Sequence, residues 1–211
     1  MTQIIYDFEF NTAFRIDRQT RRLLKGDAHP ECPQEIIEIG AVKLNDQLCI
    51  EDTFQMMIKP TLYHKMHPKI RQKTKITAEE LQYGVTFPEA IQAFREWIGA
   101  EEPVMGSWGI DDHQELERNC RFHKLETKWF QQHLDIQKLC MRHLEMPKGQ
   151  QVGLKKAVEH FGIELENSFH KALHDAIYTA HVYRALKTTQ ETGGDPQSKD
   201  DPAISYCPSP Q

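Results

Sequence analysis

"IIYDFEF", residues 4–10, sets two carboxylates, Asp7 and Glu9, inside a run of β-branched and aromatic side chains. Such a run reads as a strand. Strand side chains alternate, so Asp7 and Glu9 share one face while Tyr6, Phe8 and Phe10 share the other. Two readings of the acidic face are open. It meets water, as one face of a half-buried strand commonly does, or it is covered. If covered, the acids repel and lose solvation unless one takes a proton or a divalent cation sits between them.

The flanking segments give the setting. Residues 11–34 are polar, carry Arg15, Arg18, Arg21, Arg22 and Lys25, and end in the breaker-rich "HPECPQ", which predicts a long loop or a mobile hairpin. "EIIEIGAVKLN" and "DTFQMMIKP" read as two further strands that continue a meander from the first. "HKMHPKIRQKTKIT" then brings Lys65, Lys69, Arg71, Lys73 and Lys75 with no acid among them, and Thr77 followed by Glu80 marks a capping box and a short helix. Residues 87–98 place Ile91, Phe94, Trp97 and Ile98 at helical spacing, and "PVMGSWG" is a short apolar strand closed by glycine. Helices are expected over 112–123, 154–161 and 172–187, with "TKWFQQHLDI" as a fifth strand between the first two. Beyond residue 187 the chain lacks the apolar content to fold, so 1–187 is expected as one domain and 188–211 as a disordered polar tail.

Composition excludes several classes. At 211 residues the chain supports one substantial core. No apolar run approaches the roughly 20 residues that span a bilayer, and the N-terminus has no basic region followed by an apolar stretch. Neither membrane residence nor export is expected. Five cysteines, an odd number scattered at 32, 49, 120, 140 and 207, form no disulfide framework and are expected as free thiols in a cytoplasmic protein. A net charge of -5 argues against coating nucleic acid by bulk charge while leaving room for local basic patches.

More carboxylates stand at helix starts. Asp112 falls in line with Leu116, Asn119, Cys120 and His123 on one stripe, whereas Asp111 lines up with Glu115, Arg118 and Phe122. Asp112 followed by Glu115 also reads as an N-cap pair, and a cap and a ligand are compatible roles. In "HKALHDAIYTAHVY" Asp175 shares a face with Ala172, Ala176, Thr179 and Tyr183, and His170 lies on the loop before it. Four inward-facing carboxylates have one shared explanation in metal. Hard oxygen ligands suit Mg²⁺ or Mn²⁺, and a nearby histidine suits a base acting on water. Two C-x-x-H pairs, Cys120/His123 and Cys140/His143, raise zinc as another reading, and the adjacent His174 and Asp175 raise a metal-dependent phosphohydrolase, disfavoured because such enzymes are all-helical.

"DFEF", "SWGIDDHQEL" and "HKALHDA", supported by "EIIEIGAV" and "FPEAIQAFREWIG", resemble in order and spacing the DnaQ-like DEDDh 3′-to-5′ exonucleases, in the branch of the ERI-type and KapD-type exoribonucleases. The likeness covers roughly residues 3–187. It implies an α/β, RNase H-like fold, a mixed five-stranded sheet flanked by helices. Carried over by position, it implies Asp7, Glu9, Asp112 and Asp175 as ligands of two Mg²⁺ or Mn²⁺ ions and His170 as general base, with His174 a bystander. The implied reaction is hydrolysis of single-stranded RNA or DNA from the 3′ end to nucleoside 5′-monophosphates. A non-catalytic nucleic-acid-binding or regulatory protein with the same fold is the alternative. Arg21, Arg22, Lys73 and Lys75 are candidate phosphate contacts, and Phe10 and Trp108 candidate stacking surfaces, though Trp108 reads more readily as core. Lys75 stands where many relatives have glycine in a Thr-Gly-Ile-Thr stretch, and the 11–34 loop is longer than a minimal exonuclease needs.

Overall fold

The computed structural model describes residues 2–99, 102–164 and 168–192. The opening run is strand β1 (Gln3–Thr12), which lies at the centre of a five-stranded sheet between β4 (Gln34–Leu44) and β6 (Val104–Ser107). β5 (Ile50–Met57) and β7 (His133–Asp135) form the edges. β1 pairs antiparallel with β4 and β4 with β5, while β1/β6 and β6/β7 are parallel, so the sheet is mixed. The expected meander and fold class are both present.

Alternation along β1 sorts the two layers. Ile4, Tyr6 and Phe8 pack with Phe87, Ile91 and Phe94 of α3 (Phe87–Ile98) and with Leu116 and Cys120 of α4 (Asp111–Phe122). Ile5 belongs to the opposite layer, with α5 (Ile136–His143), α6 (Leu154–His160) and α7 (Ala172–Thr192). α3 starts at a full capping box between Thr86 and Glu89, with Pro88 in its first turn, and its apolar stripe fills the core.

Several sequence expectations are corrected. The basic segment before Thr77 holds a helix, α1 (Pro68–Thr74), entered by His67 and a first-turn proline, ahead of the capped α2 (Ala78–Gln82). "TKWFQQHLDI" is a short 3-10 turn, Lys128–Phe130, followed by only the three residues of β7, because Phe130 turns into the core. α5 follows at once. α4 starts one residue earlier than expected, with Ile110 as an N-cap that makes no side-chain bond, so Asp112 is no cap. α7 runs past residue 187 to Thr192, and the remainder of the expected tail lies outside the described residues. Cys32, Cys120 and Cys140 are buried free thiols, whereas Cys49 is disulfide-bonded.

The long 11–34 segment is a hairpin, β2 (Phe14–Ile16) paired with β3 (Leu23–Lys25). Its base is tied to the domain by Asn11, fully buried, whose Nδ2 donates to the Tyr63 and Lys65 carbonyls at 2.7 and 3.1 Å while its Oδ1 accepts from the His67 N–H at 3.0 Å. Glu35 holds the same region by accepting the N–H groups of Leu62 and Tyr63. These bonds leave α1 beside the end of β1. Among the described residues no helix is long and apolar enough to cross a membrane.

Candidate active site

Asp7 and Glu9 lie on the β1 face that looks toward α7, opposite Gly40 and Glu38 of β4. Gly40 admits α7 to that face. A β-carbon there would stand 2.0 Å from the Leu173 nitrogen and 2.1 Å from the Ala172 carbonyl carbon, so only a glycine lets the start of the helix come this close. Glu38, fully buried, accepts from Gln55 Nε2 at 2.7 Å and from the Ala172 N–H at 3.4 Å, holding the same helix end. The ladder shifts register between Glu9 and Phe10, an irregularity of the kind that re-aims side chains beside a site.

Asp175 sits in the first turn of α7 and accepts the His170 N–H at 3.2 and 3.4 Å. His170 takes a left-handed backbone, φ 70°, and brings its Nδ1 to 4.0 Å from Asp175 Oδ2, with 44% of its side chain open to solvent. Glu9, His170 and Asp175 each offer a ligand atom, all within 4.8 Å of one another. Asp112 arrives from the sheet's other side. Buried in the first turn of α4, it accepts the Phe8 N–H at 3.3 Å, and Asp111 beside it is exposed.

The electrostatics decide between the two readings of the acidic face. Burial pushes Glu9 up to about 7, despite the opposing pull of Lys73, with Asp175 and Glu38 adding to the rise. Asp112 is likewise pushed to about 7 and Asp175 to about 6, each chiefly by burial. Asp7 is raised well above the usual carboxylate range by burial and by Asp112, Asp175 and Glu9. A water-facing strand would show none of this. Burial, seconded by Lys73, lowers the pKa of His170, which favours the neutral imidazole, the form that can accept a proton. The donors are carboxylate oxygens with one imidazole nitrogen, a set that fits Mg²⁺ or Mn²⁺, and a divalent cation would offset the burial and the mutual repulsion that raise these acids.

Of the five expected site residues, Glu9, His170 and Asp175 bring ligand atoms within 4.8 Å of one another, while Asp7 feels the charges of Asp112, Asp175 and Glu9, and Asp112 is bonded to the Phe8 N–H. Lys73, on α1, acts on Asp7, Glu9, Asp175 and His170. Lys75 is exposed at the end of α1, Phe10 is half-buried against Phe8, and Trp108 packs in the α5–α7 layer with its Nε1 donating to the Val152 carbonyl at 3.3 Å. Arg21 and Arg22 lie in the turn of the β2/β3 hairpin. His174 lies with its Nδ1 3.0 Å from the Ser168 carbonyl, and its charge acts on Asp175 to lower its pKa. The C-x-x-H pairs assemble no zinc site among the described residues: Cys120 is core, His123 stacks on Phe87, Cys140 is buried and His143 lies by Phe161. Sequence reasoning passed over Glu38 and Lys171, the second cation acting on Glu9. An acid in the apolar "EIIEIGAV" was the available signal for Glu38.

Comparison with known proteins agrees with this geometry. Residues 4–183 match the exonuclease (RNase T) family. The chain is 26% identical over 158 residues to the probable 3′-5′ exonuclease KapD of Bacillus subtilis, covering 74% of this chain and 75% of that protein. It is 27% identical over 168 residues to human 3′-5′ exoribonuclease 1, covering 72% of this chain and 46% of that one, so it spans about half the length of the human relative. Among solved structures, the nuclease domain of 3′hExo, a DEDDh family member, bound to rAMP, superposes with a TM-score of 0.73 at 24% identity, covering 90% of this chain and 92% of that one. At that identity the likeness speaks to the fold. With the family match over most of its length, the chain belongs to the exonuclease (RNase T) family.

Proposed function

We propose that the protein hydrolyses single-stranded RNA from the 3′ end with the help of divalent metal, releasing nucleoside 5′-monophosphates. The observation that carries this reading is the convergence of Glu9, His170 and Asp175, with ligand atoms within 4.8 Å, on a face where buried carboxylates are held near neutral pKa. Asp7, Glu9, Asp112 and Asp175 would hold the metal, which when bound supplies charge to activate the attacking water and to steady the leaving oxygen. His170, half-exposed and with its pKa lowered toward the neutral form, takes the proton from the attacking water. Its backbone bond to Asp175 fixes where the loop stands, and the solvent-open ring has room to swing toward the water. Lys73 on α1 and Lys75 just after it meet the phosphates of the incoming strand, and Phe10 borders the terminal base.

RNA is preferred over DNA because the exoribonuclease names belong to curated relatives and the 3′hExo nuclease domain is bound to rAMP. A contact to the 2′-hydroxyl is the physical basis for such a preference. The test incubates 5′-labelled single-stranded RNA and DNA of one sequence with Mn²⁺, Mg²⁺ or chelator, beside Asp7→Ala. A metal-dependent ladder shortening from the 3′ end, faster on RNA and absent in the variant, supports the reading. Strands that stay intact while the protein binds them in Mn²⁺ would overturn it in favour of a non-catalytic binder.

A further inference from the structure

Basic charge is concentrated in two segments. Residues 14–25 and 64–75 hold ten of the lysines and arginines and a single acid, Asp17, in a chain whose net charge is -5. The fold joins these segments. Phe14, at the base of the β2/β3 hairpin, packs edge-on against His67, the N-cap of α1, with ring centroids 5.3 Å apart. The far end of α1 carries Lys73, which acts on Asp7, Glu9, Asp175 and His170. A continuous basic path therefore leads from the carboxylates along α1 and onto the hairpin.

The hairpin is built as an arm. Gly26 approaches Phe14 so closely that a β-carbon would stand 2.5 Å from the Phe14 nitrogen, which closes the neck. Beyond the neck, Arg15, Ile16, Leu24 and Lys25 are exposed, so little protein covers the two strands. At the turn Asp17 is occupied by the fold: its Oδ1 accepts the Gln19 and Thr20 N–H groups at 3.0 and 2.6 Å and the Thr20 hydroxyl at 2.8 Å. The backbone closes through Asp17 N–H to the Arg22 carbonyl at 2.9 Å and Arg21 N–H to the Asp17 carbonyl at 3.0 Å. Arg18, Arg21 and Arg22 are left exposed at the tip, and among the described residues none of them pairs with an acid. Three unpaired guanidiniums close together repel one another, which an anionic partner relieves.

We infer that the β2/β3 hairpin is a second substrate-binding element, holding phosphates of the same strand several nucleotides upstream of the 3′ end being cut. The inference rests on the exonuclease reading for what occupies the path. Counting about 1.5 Å per residue along α1 and about 3.3 Å per residue along the hairpin puts the tip at most roughly 20 Å beyond Lys73 when the two run in line. A dinucleotide in the site falls short of the tip, and a long strand reaches it. Guanidiniums meeting phosphate give affinity without base preference, so the arm sets the length of strand the enzyme holds and leaves sequence unread.

The test compares the full chain with Arg18→Gln/Arg21→Gln/Arg22→Gln and with the charge-retaining Arg18→Lys/Arg21→Lys/Arg22→Lys, all checked for fold by circular dichroism. Binding of fluorescein-labelled RNA of about 20 nucleotides is followed by anisotropy in chelator as salt is raised, and cleavage of the same RNA and of a dinucleotide is followed in Mn²⁺. The glutamine variant is expected to bind the long RNA about tenfold more weakly, with a salt slope shallower by about 2, and the lysine variant to keep the slope. Its kcat/KM ratio of long RNA to dinucleotide should fall about tenfold alongside. Equal affinity and slope in the wild type and the glutamine variant would overturn the arm, whatever the cleavage result. If the wild type cuts neither substrate, the exonuclease reading fails, and the anisotropy still decides whether the arm binds RNA.

Discussion

Gly40 of β4 stands opposite Asp7 of β1, and the space where its side chain would be is taken by the backbone of Ala172 and Leu173. One missing methyl thus lets the helix that carries Asp175 meet the strand that carries Asp7 and Glu9. Gly40→Ala is expected to force α7 off the sheet, at a cost of about 3 kcal/mol or more, because the clash is with backbone that cannot rotate away. Urea denaturation gives the stability loss and calorimetric titration with Mn²⁺ the affinity. Both should fall together, and an unchanged denaturation midpoint would refute the close approach.

Without metal, the protein should lose stability as pH rises from 5 to 8. Glu9, Asp112 and Asp175 release their protons at about 7, 7 and 6 in the fold and near 4 in the unfolded chain. Between those values the folded state holds more protons, so its advantage is fully present below pH 4 and is lost as pH climbs through 6 to 7. Glu9 alone accounts for on the order of 3 kcal/mol. Thermal unfolding in chelator should show Tm falling by several degrees across this window. Saturating Mn²⁺ should flatten the fall, since a ligand that binds only the native state adds stability in proportion to its excess over Kd.

Asp7→Asn should separate folding from metal binding. Replacing an acid whose charged form is penalised by burial and by Asp112, Asp175 and Glu9 is expected to raise the Tm of metal-free protein at pH 8. The same variant should lose the Tm increase on adding Mn²⁺. A lowered Tm without metal would mean that the fold does not penalise the charged form of Asp7.

His170→Ala is expected to lower turnover by about 10²- to 10⁴-fold, the usual span for loss of a general base. Mn²⁺ affinity measured by calorimetry should change little, since the carboxylates remain. Loss of metal in this variant would instead mark His170 as a ligand, a role its place within 4.8 Å of Glu9 and Asp175 makes testable.

Lys75 ends α1 in the left-handed region at φ 64°, with its N–H bonded to the Arg71 carbonyl, a position that favours glycine. Lys75→Gly should stabilise the protein by about 1 kcal/mol and weaken RNA binding, read by thermal unfolding and by anisotropy. Unchanged or tighter RNA binding would remove the phosphate contact assigned to this lysine.

Much of this was legible from the chain. Alternation in residues 4–10 separates the acids from the aromatics, and the helical stripe at 112–123 turns Asp112 inward as observed. What escaped depends on partners far away in sequence. Asp112 followed by Glu115 mimics a cap, yet the acid is satisfied by the Phe8 N–H of a distant strand. Gly40 reads as an ordinary strand glycine until Leu173 lies against it. α1 had a local signal in Pro68, masked by the run of basic residues around it, whereas the short β7 was overdrawn because Trp129 and Phe130 read equally well as strand.

Asp7 and Glu9 take their separation from the pleat of a single strand. Sliding β1 by one residue against β4 would carry both acids to the face where Tyr6 and Phe8 now pack, and would bring those rings against α7. No half-built pocket exists along that route. Damage that loosens the central ladder would therefore move Asp7 and Glu9 away from α7 together.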